Sequence, residues 1–342
     1  MKNPYMEDFS HGKFVHWHKF AEAEKGMVIK MNKLKIASAL GLFTVASVGE
    51  TVYFYRRTMK RNEAKVERTM KMAGTDWSQY AAMLQTRKKN FLEQPHKDVY
   101  IQSRDNLKLH AAFFPRGDKR RVVIAFHGYT SQCMSDYIGL SDYYMKNGYS
   151  MLLPDARAHG QSEGEYVGFG CLDRWDALEW IRWIIRECGE DVKILLHGTS
   201  MGGSTVLMTS ALKLPPQVKG VVSDCAFTSP KEVFTHVLHS MYHLPAFPVI
   251  QLSDCINRRN AGYGMDECNA AREIRKTRIP VLMIHGDADT FVPVSMCHEI
   301  YNNCIAPKKK LIVTGASHAE SYYKDTAAYE EALDVFTKGV MA

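Results

Sequence analysis

The spacing Gly198-x-Ser200-x-Gly202 places a serine between two glycines, after an apolar run and before a helix-forming run. A serine on such a tight strand-to-helix turn can act as a nucleophile, because the turn exposes its hydroxyl at the helix N-terminus. The spacing alone is a weak motif, and its context carries the prediction. The other interpretation is an ordinary strand-to-helix turn.

A serine hydroxyl is a poor nucleophile unless a base removes its proton and an acid orients that base. His318 is the predicted base, because it follows the last predicted strand and the chain order is then serine, acid, histidine. Asp289, in the loop after the seventh predicted strand, is the predicted acid. Two alternatives stay open: Asp287, two residues earlier, and Asp224, at the end of the sixth predicted strand.

The remaining histidines that deserve comparison with His318 fall into two groups. The first group precedes a glycine at a strand end, where a structural histidine is usual, and consists of His127, His197 and His285. The second group lies in a probable cap and precedes the predicted acid in the sequence, and it consists of His236, His239 and His243.

Two backbone N–H groups must stabilise the oxyanion that forms when the serine attacks a carbonyl. Met201 follows the serine and is predicted to supply one of them. Tyr129, in the loop after the third predicted strand, is predicted to supply the other. The alternative is that Tyr129 lies in an ordinary turn and only its aromatic ring borders the site.

These residues need a sheet that brings their loops to one edge. Short β-branched runs alternate with amphipathic stretches, and continuous apolar strands are typical of a sheet buried on both faces. We predict a mostly parallel eight-stranded sheet with helices on both faces and a site at the carboxyl ends of its strands. The predicted strands are Val99–Gln102, Leu107–Phe114, Val122–His127, Ser150–Pro154, Val192–Leu196, Gly220–Ser223, Pro280–Ile284 and Lys310–Val313.

Taken together, the motifs resemble the α/β-hydrolase superfamily. The resemblance is to its serine aminopeptidase (S33) and lysophospholipase-like families, and to membrane-anchored bacterial hydrolases of the YqkD type. Ala158 departs from the pattern, since related hydrolases often have glycine there, and this affects specificity more than chemistry. The resemblance covers about residues 98–338 and rests on His127–Ser131, Asp155–Gly164, Gly198–Gly203, Asp224–Ser229 and the loops of Asp289 and His318.

The resemblance also implies a cap, at about residues 229–275, because the stretch after the sixth strand is longer than one crossover helix requires. Arg258 and Arg259 in this stretch are expected to be solvated rather than to bind an anion. Five apolar residues either line a pocket for an acyl group or side chain, or pack the cap onto the sheet, and both interpretations stay open: Phe234, Met241, Tyr242, Phe247 and Ile250.

The N-terminal region differs from the body in charge. Residues 1–72 hold 14 Lys/Arg and 7 Asp/Glu, whereas the remaining residues hold 30 of each. We predict a basic segment at 1–35, a transmembrane helix at 36–55 and a charged helical stalk at 56–97, followed by the hydrolase domain at 98–342. Seven Lys/Arg follow the apolar run within 20 residues and five precede it. This small difference leans toward a cytoplasmic body, and the side of the membrane stays open.

The balanced charge of the body argues against a nucleic-acid partner. The eight cysteines include no CxxC pair and are expected to be buried free thiols. No metal-ligand spacing or nucleotide-binding loop is present, so we predict no cofactor.

The sequence thus predicts a membrane-tethered serine hydrolase that cleaves an ester, thioester or amide through an acyl-enzyme. A short or medium acyl ester is the first expectation for its substrate, followed by a peptide N-terminus or a lysophospholipid. The alternatives are a non-catalytic α/β-hydrolase-fold binding or scaffold protein at the membrane, and an adaptor that works through its N-terminal anchor.

Overall fold

The structure is a computed structural model and describes residues 48–61, 71–72, 75–117 and 119–341. The chain divides into two units, Met1–Val52 and Tyr53–Ala342. Of the first unit, residues 48–52 are described, and they are helical. The predicted basic segment at 1–35 and residues 36–47 of the predicted transmembrane helix lie outside the described residues.

The second unit is built on one eight-stranded sheet, as the strand pattern predicts. The strands run in the order β8-β7-β6-β5-β3-β4-β2-β1, and β2 is antiparallel to both of its neighbours while all the other pairs are parallel. The strands are β1 (Lys97–Gln102), β2 (Lys108–Phe114), β3 (Arg121–Phe126), β4 (Ser150–Pro154), β5 (Lys193–Thr199), β6 (Val218–Asp224), β7 (Val281–Gly286) and β8 (Lys308–Val313).

Both faces of the sheet are buried, which explains the continuous apolar runs. In β3, Val122 and Ile124 join one hydrophobic cluster, while Val123 and Ala125 join the cluster on the opposite face. Successive side chains of a strand point to opposite faces, so a strand with only one covered face would alternate apolar and polar residues. The predicted fold class, a mostly parallel sheet covered on both sides, is confirmed.

Helices follow most strands, and two of them lie in the stretch predicted to form the cap. The cap helix α6 begins at Pro230, and the Ser229 side chain accepts the N–H of Glu232, a favourable N-cap before a first-turn proline. The helices are α1 (residues 48–59), α2 (Ala81–Leu92), α3 (Ser141–Lys146), α4 (Asp173–Cys188), α5 (Met201–Ser210), α6 (Pro230–Met241), α7 (Val249–Asn260), α8 (Ala270–Glu273), α9 (Val294–Asn303), α10 (Ser321–Lys324) and α11 (Thr326–Val340).

The structure does not support the C-terminal end of the predicted transmembrane helix at 36–55. Phe54 and Tyr55 are only 8% and 4% exposed because they pack into the core of the second unit, so they do not face lipid. Met59 and Phe91, in the predicted stalk at 56–97, are also buried in that unit. Within the described ranges, no helix is both long enough and apolar enough to cross a bilayer.

Candidate active site

Ser200 lies on the turn between β5 and α5 with φ 55° and ψ −113°. This conformation is strained for a residue with a side chain and is typical of functional sites. The flanking glycines are needed because a Cβ on Gly198 would clash with the backbone of Gly202, and one on Gly202 with the carbonyl of Phe126. The Ser200 N–H donates to the carbonyl of Asp224 at 2.8 Å, which ties the turn to the neighbouring strand β6.

Ser200, His318 and Asp289 form one chain of hydrogen bonds. His318 Nε2 lies 2.9 Å from Ser200 Oγ, and His318 Nδ1 lies 2.7 Å from Asp289 Oδ2. The carboxylate can only accept, so Nδ1 carries the proton and Nε2 is free to accept the serine proton. All three residues are buried, with exposed fractions of 7%, 8% and 5%. The arrangement can therefore move a proton from the hydroxyl to the imidazole.

The two alternative carboxylates have other partners. Asp287 Oδ1 accepts the N–H of Gly315 at 2.6 Å and caps that loop. Asp224 Oδ2 accepts the hydroxyl proton of Tyr329 at 3.0 Å. Burial raises the pKa of Asp224 to about 6. Of the three candidates, Asp289 is the one that His318 contacts.

The Asp289 carboxylate accepts three hydrogen bonds and lies next to a second imidazole, that of His285. Its Oδ1 accepts the N–H groups of Phe291 and Val292 at 2.9 and 2.8 Å. His285 Nε2 lies 3.4 Å from Oδ2, on the same oxygen as His318. Burial alone would raise the pKa of the Asp289 carboxyl, but the two imidazoles outweigh it and hold that pKa well below its usual range. The Asp289 carboxyl is therefore ionised throughout the neutral range.

His285 is a member of this site that the sequence analysis assigned to structure alone. Its position at the end of β7, four residues before Asp289, could have revealed it, because both residues border the same sheet edge. Burial opposes a charge on its ring, yet the Asp289 carboxylate raises the pKa of His285 above its usual value. Cys225 is a further neighbour, with its sulfur within 4.8 Å of ligand atoms of Asp289 and His318.

The residues predicted to bind the oxyanion lie beside the serine. Met201 is the first residue of α5. Tyr129 follows Gly128, at which a Cβ would lie 3.3 Å from the Ser200 Cβ. Asp136, which the sequence analysis missed, shapes this loop by accepting the Gly128 N–H at 2.6 Å. Two backbone N–H groups on adjacent short turns are what an oxyanion site requires.

The N-terminal segment 53–61 crosses the same region. The Tyr129 hydroxyl donates to the Arg57 carbonyl at 3.2 Å, and the Val167 N–H donates to the Met59 carbonyl at 2.9 Å. The Arg61 guanidinium donates to the Gly160 carbonyl at 2.8 Å. A segment predicted to lie in or near a bilayer is therefore hydrogen-bonded to the loops around the serine.

The five apolar cap residues divide into two groups. Phe234 and Ile250 are buried, with 6% and 1% exposed, and pack into the core. Met241, Tyr242 and Phe247 lie at the tip of the cap and are 51%, 56% and 70% exposed. This burial favours the packing interpretation for Phe234 and Ile250, and the pocket interpretation stays a prediction.

The polar residues of the cap have local partners. Arg258 contacts Asp254 at 2.9 Å on its own helix and is largely exposed, while Arg259 is exposed as well. His236 Nε2 lies 2.9 Å from the carbonyl of Thr290, which connects the cap to the loop of the acid.

Two of the three buried histidines at the strand ends, His127 and His197, are satisfied by hydrogen bonds. The Ala156 N–H donates to His127 Nε2 at 3.0 Å, and the hydroxyls of Tyr144 and Tyr329 contact the His197 ring at 2.7 and 3.2 Å. Both are therefore structural, as their positions before glycine predict.

Two groups of side chains in the described part of the chain have donor types that metals bind. One joins His110, Cys133 and Asp155, and the other is the Cys225 group at the serine. In the first group, His110 Nδ1 already hydrogen-bonds to Asp155 at 2.7 Å, and its Nε2 to Asp98 at 3.0 Å. Both ring nitrogens are thus committed to carboxylates, so the residues fit a hydrogen-bond network better than a metal site.

Comparison with known proteins identifies the fold. A family profile for the alpha/beta hydrolase fold matches residues 121–261, from β3 to the end of the cap helix α7. YqkD of Bacillus subtilis is 27% identical over 219 residues, which are 64% of this chain and 72% of YqkD. A lysophosphatidylserine lipase of Danio rerio is 25% identical over 185 residues, 53% of this chain and 46% of the lipase.

Solved structures agree on the architecture. An esterase of Pyrococcus furiosus superposes with a TM-score of 0.62 at 23% identity, covering 74% of this chain and 94% of the esterase. An acetyl xylan esterase from Paenibacillus sp. R4 superposes with a TM-score of 0.56 at 16% identity, covering 77% and 95%. These matches show the fold of this chain.

Proposed function

Because this chain has the fold of the α/β-hydrolase superfamily, we propose that it is a serine hydrolase that cleaves an ester, thioester or amide through an acyl-enzyme. One observation carries the proposal: the buried hydrogen-bond chain from Ser200 through His318 to Asp289, with distances of 2.9 and 2.7 Å. A non-catalytic scaffold has no need of a strained serine joined to a base and an ionised acid.

In the proposed reaction, Ser200 Oγ attacks the substrate carbonyl while His318 Nε2 takes its proton. The imidazolium is stabilised by Asp289, and the N–H groups of Tyr129 and Met201 bind the oxyanion. His318 then gives its proton to the leaving group, which leaves an acyl group on the serine. A water molecule, deprotonated by the same imidazole, attacks this acyl-enzyme; the bond between the acyl carbon and Ser200 Oγ breaks, the imidazolium returns its proton to Oγ, and the carboxylic acid is released.

A short or medium acyl ester is the proposed substrate. Support comes from the esterases and the lipase among the similar proteins. A peptide N-terminus is less favoured, because an α-amino group would need a carboxylate near the acyl site. The Asp289 carboxylate is already shared by two imidazoles, and the Asp136 carboxylate already accepts the Gly128 N–H.

We also propose that the chain is a single-pass protein of the cell membrane. The span would end before Phe54, since that residue packs into the hydrolase unit. Residues 36–52 would then cross the bilayer as a helix of roughly 26 Å, near the lower limit for a span. The Lys/Arg residues that follow favour a cytoplasmic hydrolase unit.

A fluorophosphonate probe tests the proposed chemistry, because it modifies only an activated serine. Wild-type protein should become labelled on the peptide that carries Ser200, and Ser200→Ala should abolish both labelling and ester turnover while the protein stays folded. The control is Ser240→Ala, which removes an exposed cap hydroxyl and should label normally. Failure of the folded wild type to label would favour the non-catalytic alternative.

A further inference from the structure

A segment well ahead of the region that matches the family profile contacts the backbone of the proposed base. The Thr75 hydroxyl donates to the His318 carbonyl at 2.9 Å, and the Thr75 residue is buried. The profile begins at residue 121, and the sequence analysis predicts a charged stalk at 56–97. In the structure, residues 75–80 instead belong to the surroundings of the active site.

The same segment contacts the loop of His318 at a second point. Glu320 lies two residues after the base and is a buried carboxylate. Its Oε1 accepts the hydroxyl proton of Tyr80 at 2.7 Å, and its Oε2 accepts the N–H of Ser317, the residue before the base, at 2.8 Å. The Glu320 side chain thus joins the segment 75–80 to the backbone next to His318.

Aromatic packing fixes the segment in this place. The Trp77 ring meets the Tyr323 ring edge to face with centroids 5.3 Å apart, and the Tyr80 ring lies 5.3 Å from the same tyrosine. Tyr323 belongs to α10, which begins three residues after His318. These spacings are those of direct aromatic contact, so the rings hold the segment against the element that follows the base.

The backbone of the His318 loop is strained and needs support from its surroundings. Ala319, the next residue, has φ 58°, a region that residues with a Cβ rarely adopt. The His318 imidazole must also keep two contacts at once, 2.9 Å to Ser200 Oγ and 2.7 Å to Asp289 Oδ2. A small displacement of the backbone would lengthen at least one of them, and misplaced catalytic groups lose rate steeply.

We propose that Thr75 is a positioning residue for the base: its hydroxyl holds the His318 backbone so that the imidazole keeps both contacts. This inference rests on the proposed serine hydrolase function and adds a residue that acts through His318. A hydrolase unit that began at residue 98, where the sequence resemblance begins, would lack this contact and turn over slowly.

Two substitutions at Thr75 separate its hydroxyl from its shape. Thr75→Val keeps the branched shape and removes the hydroxyl, whereas Thr75→Ser keeps the hydroxyl. For each protein, kcat and KM would be measured on one p-nitrophenyl ester and expressed per active site titrated with a fluorophosphonate. Thr75→Val should lower kcat about tenfold with KM unchanged, since one hydrogen bond that aligns the base is lost. Thr75→Ser should retain most of the wild-type kcat.

Thr209→Val is the matched control. Thr209 is also buried, and its hydroxyl also donates to a backbone carbonyl, that of Thr205 at 2.7 Å, but this bond lies within α5. The control removes the same atom from a position without contact to the His318 loop. It should therefore keep the wild-type kcat per active site, even where thermal melting shows a loss of stability.

Tyr80→Phe keeps the test decisive if Thr75→Val does not fold, and it should lower kcat by about threefold with KM unchanged. If the folded variants keep the wild-type kcat per active site, or if Thr75→Ser loses as much as Thr75→Val, the segment serves packing alone and the inference is overturned. A folded wild-type protein that the fluorophosphonate does not label would refute the proposed function and the inference with it, so the two failures are distinguishable.

Discussion

The floor and the roof of the candidate site are held in different ways. The floor consists of the turns after β3, β5, β7 and β8, where backbone groups and short hydrogen bonds hold Ser200, His318 and Asp289. The roof consists of the cap and the segment 53–61, which contact each other through aromatic rings such as Phe54 on Phe234 and contact the loops below through hydrogen bonds such as Tyr129 to Arg57. Its tip is open to solvent, since Phe247 is 70% exposed.

This difference separates chemistry from selectivity. The floor tolerates no change of shape, because a Cβ on Gly198 or Gly202 would meet backbone. The roof depends on side-chain volume, which substitution changes gradually. We therefore expect floor variants to lose turnover and roof variants to change substrate preference or stability.

The largest expected effect is at the acid of the floor. Asp289→Asn preserves shape but removes the charge that stabilises the imidazolium, and it should lower kcat by about 10⁴-fold, as in serine proteases. Asp224→Asn is the matched control, a buried carboxylate at the next strand end, and should retain most of the turnover. Both variants would be assayed on one ester at neutral pH with folding checked by thermal melting. A larger catalytic loss in a well-folded Asp224→Asn would assign the acid to β6.

The second prediction concerns the contribution of the roof to the stability of the protein. Deleting residues 1–55 removes Phe54 and Tyr55 from the core and should lower the free energy of unfolding by roughly 3–5 kcal/mol. Deleting residues 1–47 leaves both rings in place and should leave the denaturation midpoint unchanged. Urea unfolding of the two truncated proteins measures the difference. Equal stability would mean that the N-terminal helix contributes nothing to the roof.

A third prediction concerns the pH dependence of the free energy of unfolding, which the buried carboxyl of Asp224 should influence. Burial raises the pKa of Asp224 from 3.8 to about 6, so the folded state binds its proton more tightly than the unfolded state. Stability contributed by this proton is present below about pH 4 and is lost as the pH rises to about 6, by roughly 3 kcal/mol in total. Unfolding free energies measured from pH 4 to 7.5 should show this slope in wild type and not in Asp224→Asn. Parallel curves for the two proteins would refute the assignment.

The smallest effect is expected in the loop that connects floor and roof. Ala158 has φ 61°, a region where glycine is unstrained, and it is buried next to Gly160 and Gly164. Ala158→Gly should therefore stabilise the protein by about 1 kcal/mol or less, because relief of strain is partly offset by a more flexible unfolded chain. Thermal melting measures this change in stability. A clear loss of stability would show that the packing of the Ala158 methyl group contributes more than the strain of its backbone costs.

Much of the floor was predictable because its signals are local. The apolar strands, the glycines around Ser200 and the order of Ser200, Asp289 and His318 are all properties of short stretches of chain. Strand ends were less accurate: β8 begins at Lys308 rather than Lys310, because a ladder with β7 includes edge lysines that carry no apolar signal.

What the sequence by itself determined is the sheet, the turn that strains the serine, and the residue types that can move a proton. Only the tertiary structure decided which of three carboxylates meets His318 and that Phe54 and Tyr55 pack into the hydrolase unit. The reason is physical: backbone preferences and hydrophobic period act over a few residues. Contacts between residues 29 to 180 positions apart, such as Asp289 with His318 and Phe54 with Phe234, depend on how the whole chain packs.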